Sequence, residues 1–291
     1  MNKSPFYQFS SPAKLNLFLH IVGRRSDGYH QLETLFQFID CCDKLEIRVT
    51  DSPSIDLLTP IEGVNKEDNL IFKAAKMLQE QAKCQQGAEI KINKVLPMGG
   101  GLGGGSSNAA TVLLALNLLW DCRLPLNKLA QLGVSLGADV PVFIYGLSAF
   151  AQGIGEKLTV KTPQEYWYLV SKPECSISTA EIFTHKDLPR NTPRLSTTDI
   201  EFKNCHNDCQ TLVIKLYPKV ANLLSWLLEY APSRMTGTGA CIFTQFNSKA
   251  EALLIQSKLP PEIQSFVAKG INESPLLAEL KALRDTTKLF K

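Results

Sequence analysis

The chain has 291 residues, of which 44% are hydrophobic and 20% charged, and its formal net charge at neutral pH is +3. That length sustains a full core and two domains of ordinary size, and the composition excludes a disordered or low-complexity polypeptide. No basic cluster is interleaved with aromatics, which argues against a nucleic-acid binder, while the slight positive balance leaves a local anion site open.

Residues 1–11 lack the apolar run of a secretion signal, and the longest apolar stretch, residues 109–120, is broken by Thr111 and Asn117, so a cytoplasmic chain is expected. Residues 12–21, PAKLNLFLHI, alternate in part and predict a mostly buried strand with Lys14 and Asn16 on one face. A buried lysine is costly unless it meets an anion, which makes Lys14 a functional candidate; the alternative is an edge strand with the lysine solvated. Residues 23–30 carry turn residues, most sharply at Asp27-Gly28, and end in Tyr29 and His30. An aromatic ring beside a group that can donate and accept hydrogen bonds suits a flat heterocycle, stacked and read along its edge, with plain packing as the other reading. Residues 32–38 and 44–49 read as two strands separated by Asp40-Cys41-Cys42-Asp43. Glu67-Asp68-Asn69 then start a helix with Leu70, Ile71, Ala74, Ala75 and Leu78 on one side, and residues 88–95 form a further strand.

Pro97 and Met98 open the most distinctive stretch. Six glycines, Gly99, Gly100, Gly101, Gly103, Gly104 and Gly105, enclose only Leu102, so the backbone can take left-handed angles and leave its N–H groups uncovered. Ser106, Ser107 and Asn108 follow as helix-capping types, and an apolar run to Trp120 reads as a buried helix. A loop that opens into a helix N-terminus is a phosphate site, and the hydroxyls of Ser106 and Ser107 are available to phosphate or to a metal ion. The lysine of a Walker A loop is missing. Gly99, Gly101 and Gly104 satisfy G-x-G-x-x-G, yet Asp121 directly follows the helix instead of ending a second strand, which argues against a dinucleotide fold. A flexible linker is disfavoured by the strand before the loop and the capped helix after it.

Residues 127–136 read as a second helix ended by Gly137. Asp139, two residues before Pro141, is expected at a well-fixed turn beside the core, where a carboxylate serves as a general base or as a plain turn residue. A composition change places a boundary near residues 150–165, giving domains 1–160 and 161–291. Residues 165–170 are strand-like and residues 184–199 read as surface loop. The eight cysteines form no CxxC pair and are expected as reduced thiols, and Cys205-His206-Asn207-Asp208-Cys209 lacks the second ligand pair that zinc requires. Val220, Leu223, Leu224, Leu227 and Leu228 give an amphipathic helix that ends before Pro232. Residues 235–240, MTGTGA, form a second small-residue loop leading into a strand at 241–243; Ser248 and Glu251 make a capping box, and residues 265–271 close with a strand. Such alternation indicates α+β or α/β layers.

With these motifs in place the chain resembles the GHMP kinases, whose marks are an N-terminal lysine strand, a central glycine-serine loop and a C-terminal glycine loop, here residues 12–19, 97–107 and 236–240. PAKLNLFL, RRSDGYH, LPMGGGLGGGSSNAA, LGADVPVF and GTGAC follow in order and bring the chain nearest to the members that act on a diphosphocytidyl methylerythritol. The resemblance implies an α+β fold of two domains, an N-terminal mixed sheet covered by helices and a ferredoxin-like C-terminal domain, with the active site in the cleft between. It also implies a small-molecule kinase of isoprenoid-precursor synthesis that phosphorylates the 2-hydroxyl of that substrate from ATP and Mg²⁺. By the same resemblance, residues 97–107 hold the phosphates of ATP, Asp139 takes the hydroxyl proton, Lys14 steadies the developing charge and Asn16 orients the substrate. Tyr29 and Phe183 sandwich the cytosine ring while His30 reads its edge, and residues 237–239 close the site. The implied partners are the small-molecule substrate and ATP, with no nucleic acid and no membrane; the oligomeric state stays open.

Overall fold

The computed structural model describes residues 4–26, 28–195 and 204–289. The Asp27 half of the Asp-Gly turn and residues 196–199 of the expected surface loop lie outside the described residues. Two long strands, β1 (Tyr7–Arg24) and β2 (His30–Thr50), form an antiparallel frame. All of β1 from Phe9 to Ile21 is buried, as expected of a strand covered on both faces.

β2 departs from the expected pair of strands, because Asp40 to Asp43 continue it without a break. One edge of β2 pairs with β1, and the other takes β5 (Ala149–Gly153), β10 (Gln264–Ile271) and β4 (Gly87–Asn93) along successive stretches. The fully buried carboxylate of Asp43 accepts the N–H groups of Val95 and Leu96 at 2.8 Å each and meets Lys94 Nζ at 2.6 Å. Those bonds outweigh the poor strand propensity of aspartate. β3 (Ile55–Leu57) runs parallel to β4, which makes this half mixed, and β6 (Lys157–Val160) pairs with β5.

Helices cover this half. α1 (Leu70–Ala82) is capped by Asn69, whose side chain accepts from the Ile71 N–H at 2.9 Å, and it buries Ile71, Ala74, Ala75 and Leu78. α2 (Gly104–Leu119) starts earlier than expected, so Ser106, Ser107 and Asn108 lie within its first turns instead of capping it; left-handed Gly103 makes the turn. Every residue from Ser107 to Leu116 is buried, and a helix apolar all round belongs in the middle of the layer. α3 (Leu126–Leu136) ends at Gly137 with extended backbone, and α4 (Val140–Tyr145) begins directly after Asp139.

The second half contains β7 (Trp167–Lys172), α5 (Thr179–Thr184), α6 (Asp208–Leu216), α7 (Pro218–Leu228), β8 (Ser233–Met235), β9 (Ile242–Phe246) and α8 (Lys249–Gln256) before β10. Its strand order, β10-β7-β9-β8, is antiparallel throughout and gives the ferredoxin-like βαββαβ arrangement. The capping box at Ser248 forms as expected. α6 was not legible, since the cysteine-bounded run at 205–209 is its N-terminus, with Asn207 as cap. α9 (Pro275–Leu289), also unforeseen, returns to β1, where Glu279 Oε2 accepts the Ser10 N–H at 2.7 Å. The pairs Ile39↔Gly270 and Phe38↔Ile271 carry one sheet across both halves, and Leu15, Phe18, Ile39, Leu102, Tyr168 and Phe243 share a core between them.

Candidate active site

β1 carries Lys14 and Asn16 into the space between the halves. The Lys14 N–H donates to Leu102 O at 3.0 Å; its ammonium meets Asp139 Oδ2 at 3.1 Å and donates to Gly101 O at 3.1 Å and to Asn16 Oδ1. The lysine side chain is 3% exposed and that of Asp139 34%, so the cation is enclosed by oxygens while the carboxylate reaches the cleft. A buried ammonium is tolerated only when paired and hydrogen-bonded in this way, and the solvated edge-strand alternative falls. Asp139 stands at the start of α4 without capping it, its carboxylate being turned to Lys14. Asn16 donates from Nδ2 to Thr34 Oγ1 and from its backbone to Thr236 Oγ1, both at 2.9 Å, and Thr236 Oγ1 donates to Gly101 O at 3.3 Å. The lysine strand and both glycine loops thus meet at one point.

The loops interlock through backbone. The N–H groups of Ala240 and Cys241 donate to Gly99 O and Gly100 O at 3.3 Å each. Gly101 has φ +74°, and a Cβ there would lie 2.2 Å from Thr236 O. At Gly103, with φ +71°, a Cβ would come within 3.0 Å of Lys14 Cε. Both positions require glycine for angle and for space. The first bond of α2 runs from the Ser107 N–H to Gly103 O at 2.8 Å, which leaves the N–H groups of Gly104, Gly105 and Ser106 without intrahelical acceptors. These donors and the positive end of α2 make a seat for an anion.

A cleft of about 910 Å³ opens over this seat, lined by every residue from Pro97 to Ser106 together with Lys14, Asn16 and Asp139. Ser107 differs from the sequence expectation: it is fully buried, stands outside the cleft wall, and its Oγ has no partner. The next residue, Asn108, does line the cleft, and its buried Oδ1 has no protein donor. An early helix start rotates Ser107 inward and Asn108 outward.

Tyr29, His30 and Phe183 line the far end of the cleft. Tyr29 is 61% exposed, and the Phe183 ring lies 5.3 Å from that of His30 at 31°. Arg190 Nε donates to His30 Nε2 at 3.1 Å. Burial, then the Arg190 and Arg24 cations, push the imidazole below its usual 6.5, so it is neutral at pH 7.

Sequence reasoning missed four residues of this arrangement. Lys94 lines the cleft and is held by Asp43 and, at 3.0 Å, by Leu96 O; its position at the end of the strand feeding the loop was the available signal. Thr236 lay within the second small-residue loop, Asn108 was read only as a capping type, and Arg190 has no local signal at all.

Comparison with known proteins agrees with this geometry. Residues 69–147 match the GHMP kinases N terminal domain and residues 198–262 the GHMP kinases C terminal domain. The chain is 64% identical over 281 residues to the 4-diphosphocytidyl-2-C-methyl-D-erythritol kinase of Colwellia psychrerythraea (strain 34H), covering 95% of this chain and 94% of that one. A crystal structure of 4-(cytidine 5'-diphospho)-2C-methyl-D-erythritol kinase superposes with a TM-score of 0.80 at 28% identity, over 91% of this chain and 99% of the other. The mevalonate kinase of Methanococcus jannaschii shares the fold, with a TM-score of 0.65 at 17% identity over 92% and 99% of the two chains.

Proposed function

Since this chain belongs to the 4-diphosphocytidyl-2-C-methyl-D-erythritol kinases, a branch of the GHMP kinases, we propose that its cleft passes the γ-phosphoryl of ATP to the 2-hydroxyl of that substrate. It is a small-molecule kinase, and the reading places it in the methylerythritol phosphate route to isoprenoid precursors. The observation that carries the mechanism is the 3.1 Å contact between Lys14 and Asp139 beside the anion seat. Asp139 takes the proton of the attacking hydroxyl, and Lys14 holds that carboxylate in place and offsets charge that develops on the transferred group. Phosphoryl transfer needs alignment and charge stabilisation above all, and a buried ammonium, a fixed carboxylate and a glycine cradle supply both.

ATP phosphates fit the loop through the uncovered N–H groups of Gly104, Gly105 and Ser106, while the unpartnered Oδ1 of Asn108, an acceptor, suits a hydroxyl or amino group of the nucleotide. Mg²⁺ would accompany the nucleotide: the Ser106 hydroxyl in the cleft wall would give one protein oxygen to a cation that keeps waters and phosphate oxygens, which leaves the Asp139 carboxylate to the hydroxyl proton. When bound, the ion neutralises phosphate charge. Asn16 orients the substrate alcohol, Tyr29 and Phe183 stack the cytosine, and His30 reads its edge. Residues 1–160 form the domain with the phosphate loop and residues 161–291 the second domain, β7 being the first strand of the latter sheet. No helix among the described residues is long and apolar enough to cross a membrane. The proposed ATP-dependent reaction is the ground on which we assign the chain to the cytoplasm.

A kinase for another small alcohol is disfavoured by Tyr29 and His30 in the cleft wall, and a binder without catalysis by the engaged Lys14–Asp139 pair. Purified protein with ATP and Mg²⁺ should consume ATP only when the diphosphocytidyl substrate is present. Equal rates with homoserine or mevalonate would favour the other alcohol kinases instead.

A further inference from the structure

Arg190 stands behind the base end of the cleft, outside its lining. Its Nε donates to His30 Nε2 at 3.1 Å, Nη2 donates to His185 O at 2.7 Å and Phe183 O at 3.3 Å, and Nη1 donates to Leu188 O at 3.0 Å. One guanidinium therefore joins the start of β2 to the end of α5, the two places that carry His30 and Phe183. The segment behind it is fastened independently. Thr192 donates from its backbone to Ile21 O at 3.1 Å and from its hydroxyl to Asp208 Oδ2 at 2.8 Å. Arg194 and the Leu195 N–H bind the two oxygens of Glu33 at 3.1 and 2.9 Å, and that carboxylate is 1% exposed. Arg190 is thus delivered by a strap tied to β1, β2 and α6.

A guanidinium neither accepts hydrogen bonds nor gives up its proton, so the imidazole nitrogen facing it must present a lone pair. In a neutral ring the proton then sits on the other nitrogen. We propose that Arg190 is a positioning residue for base recognition: by occupying Nε2 of His30 it fixes the Nδ1–H tautomer, so that the ring offers the cleft a hydrogen-bond donor. A donor there selects a pyrimidine whose ring nitrogen is an acceptor, as N3 of cytosine is, over uracil, whose N3 carries hydrogen. Two N–H groups face to face leave both unpaired in a part-buried site, which is the strongest form of discrimination a pocket can apply. The inference rests on the cytidyl-substrate reading and adds to it the source of the cytosine preference.

Long-range ¹H–¹⁵N correlation on protein labelled at its four histidines, assigned by single substitutions, reads the tautomer directly. His30 of the unaltered protein is expected as Nδ1–H, and Arg190→Met, which keeps an apolar stem without donors, should release it toward Nε2–H. In Arg190→Met the KM for the cytidyl substrate should rise about tenfold or more, with kcat and the KM for ATP within about twofold. The preference for the cytidyl over the uridyl compound should fall by a similar factor. Arg190→Lys, which keeps the charge without the fork, should lose most of that preference as well. A purely structural role would move stability and leave tautomer and base preference alone. An Nε2–H signature at His30 in the unaltered protein overturns the proposal and is decisive even if the variants fail to fold; so does Arg190→Met with both readouts unchanged. If the unaltered protein shows Nδ1–H yet binds no cytidine compound, the substrate reading fails and the specificity role fails with it, while the tautomer arrangement stands.

Discussion

The two ends of the cleft are built on opposite plans. At the phosphate end, Lys14 is 3% exposed, its oxygen partners come from β1, the glycine loop and the start of α4, and the two loops clasp each other by backbone hydrogen bonds. At the base end, Tyr29 is 61% exposed and His30 and Phe183 are held by a long side chain reaching in from a strap. The difference teaches where each task puts its demands. Phosphoryl transfer requires groups fixed to a fraction of an ångström before substrate arrives, whereas a flat base brings its own shape and needs only two faces and one well-chosen edge contact.

If that contrast is right, damage at the phosphate end should strike turnover and damage at the base end should strike affinity for one substrate. Lys14→Met should lower kcat about a hundredfold, with the fold retained because the replacement fills the same buried space; steady-state kinetics and a thermal melt check both halves of this. Gly101→Ala forces a Cβ to 2.2 Å from Thr236 O at a left-handed angle and should destabilise the protein by about 2 kcal/mol, read as a lowered midpoint in urea. It should also loosen ATP binding by prising the loops apart. His30→Ala should raise the KM for the cytidyl substrate about tenfold and leave that for ATP unchanged. An equal loss for both ligands would erase the distinction between the two ends.

The smallest effect is that of pH. Because the His30 imidazole titrates below 6.5 in the folded chain, the unfolded chain holds the extra proton first as pH falls through the interval beneath 6.5. The stability that neutral His30 contributes is complete above 6.5 and is lost progressively below it. Protonation also removes the lone pair that faces Arg190 and sets two cations side by side. The KM for the cytidyl substrate should therefore climb several-fold as pH drops below that interval, while the KM for ATP stays level over the same range.

Legibility in the sequence followed the same division. Lys14, Asp139 and residues 97–106 announce themselves locally, by a lysine in an apolar strand, a carboxylate before a proline, and glycine after glycine. The strand, glycine-loop and capping-box patterns placed β1, α2 and α8. What was missed depends on distant partners. Asp40 to Asp43 read as a break because no local pattern shows that Asp43 will be paid back by Val95, Leu96 and Lys94 from 52, 53 and 51 positions away. Ser107 read as a ligand because the helix was started at least three residues too late, with Ser106 instead of Gly103 as the first cap, a shift that glycine's freedom at Gly103 decides. Arg190 sits in a proline-rich loop and meets His30 across 160 residues, beyond any periodicity. The ferredoxin-like half was compatible with the strand spacing, but only the resemblance to a family selected it.

The measurement closest to the central claim is a rapid-quench single turnover of Asp139→Asn, with enzyme in excess over radiolabelled ATP and the diphosphocytidyl substrate saturating. The carboxylate contacts Lys14 at 3.1 Å and is assigned the proton transfer, so the chemical step should slow by about a hundredfold or more with ATP binding intact. A chemical step as fast as in the unaltered enzyme, or a loss accounted for wholly by weaker ATP binding, would contradict the assignment of Asp139 as the base.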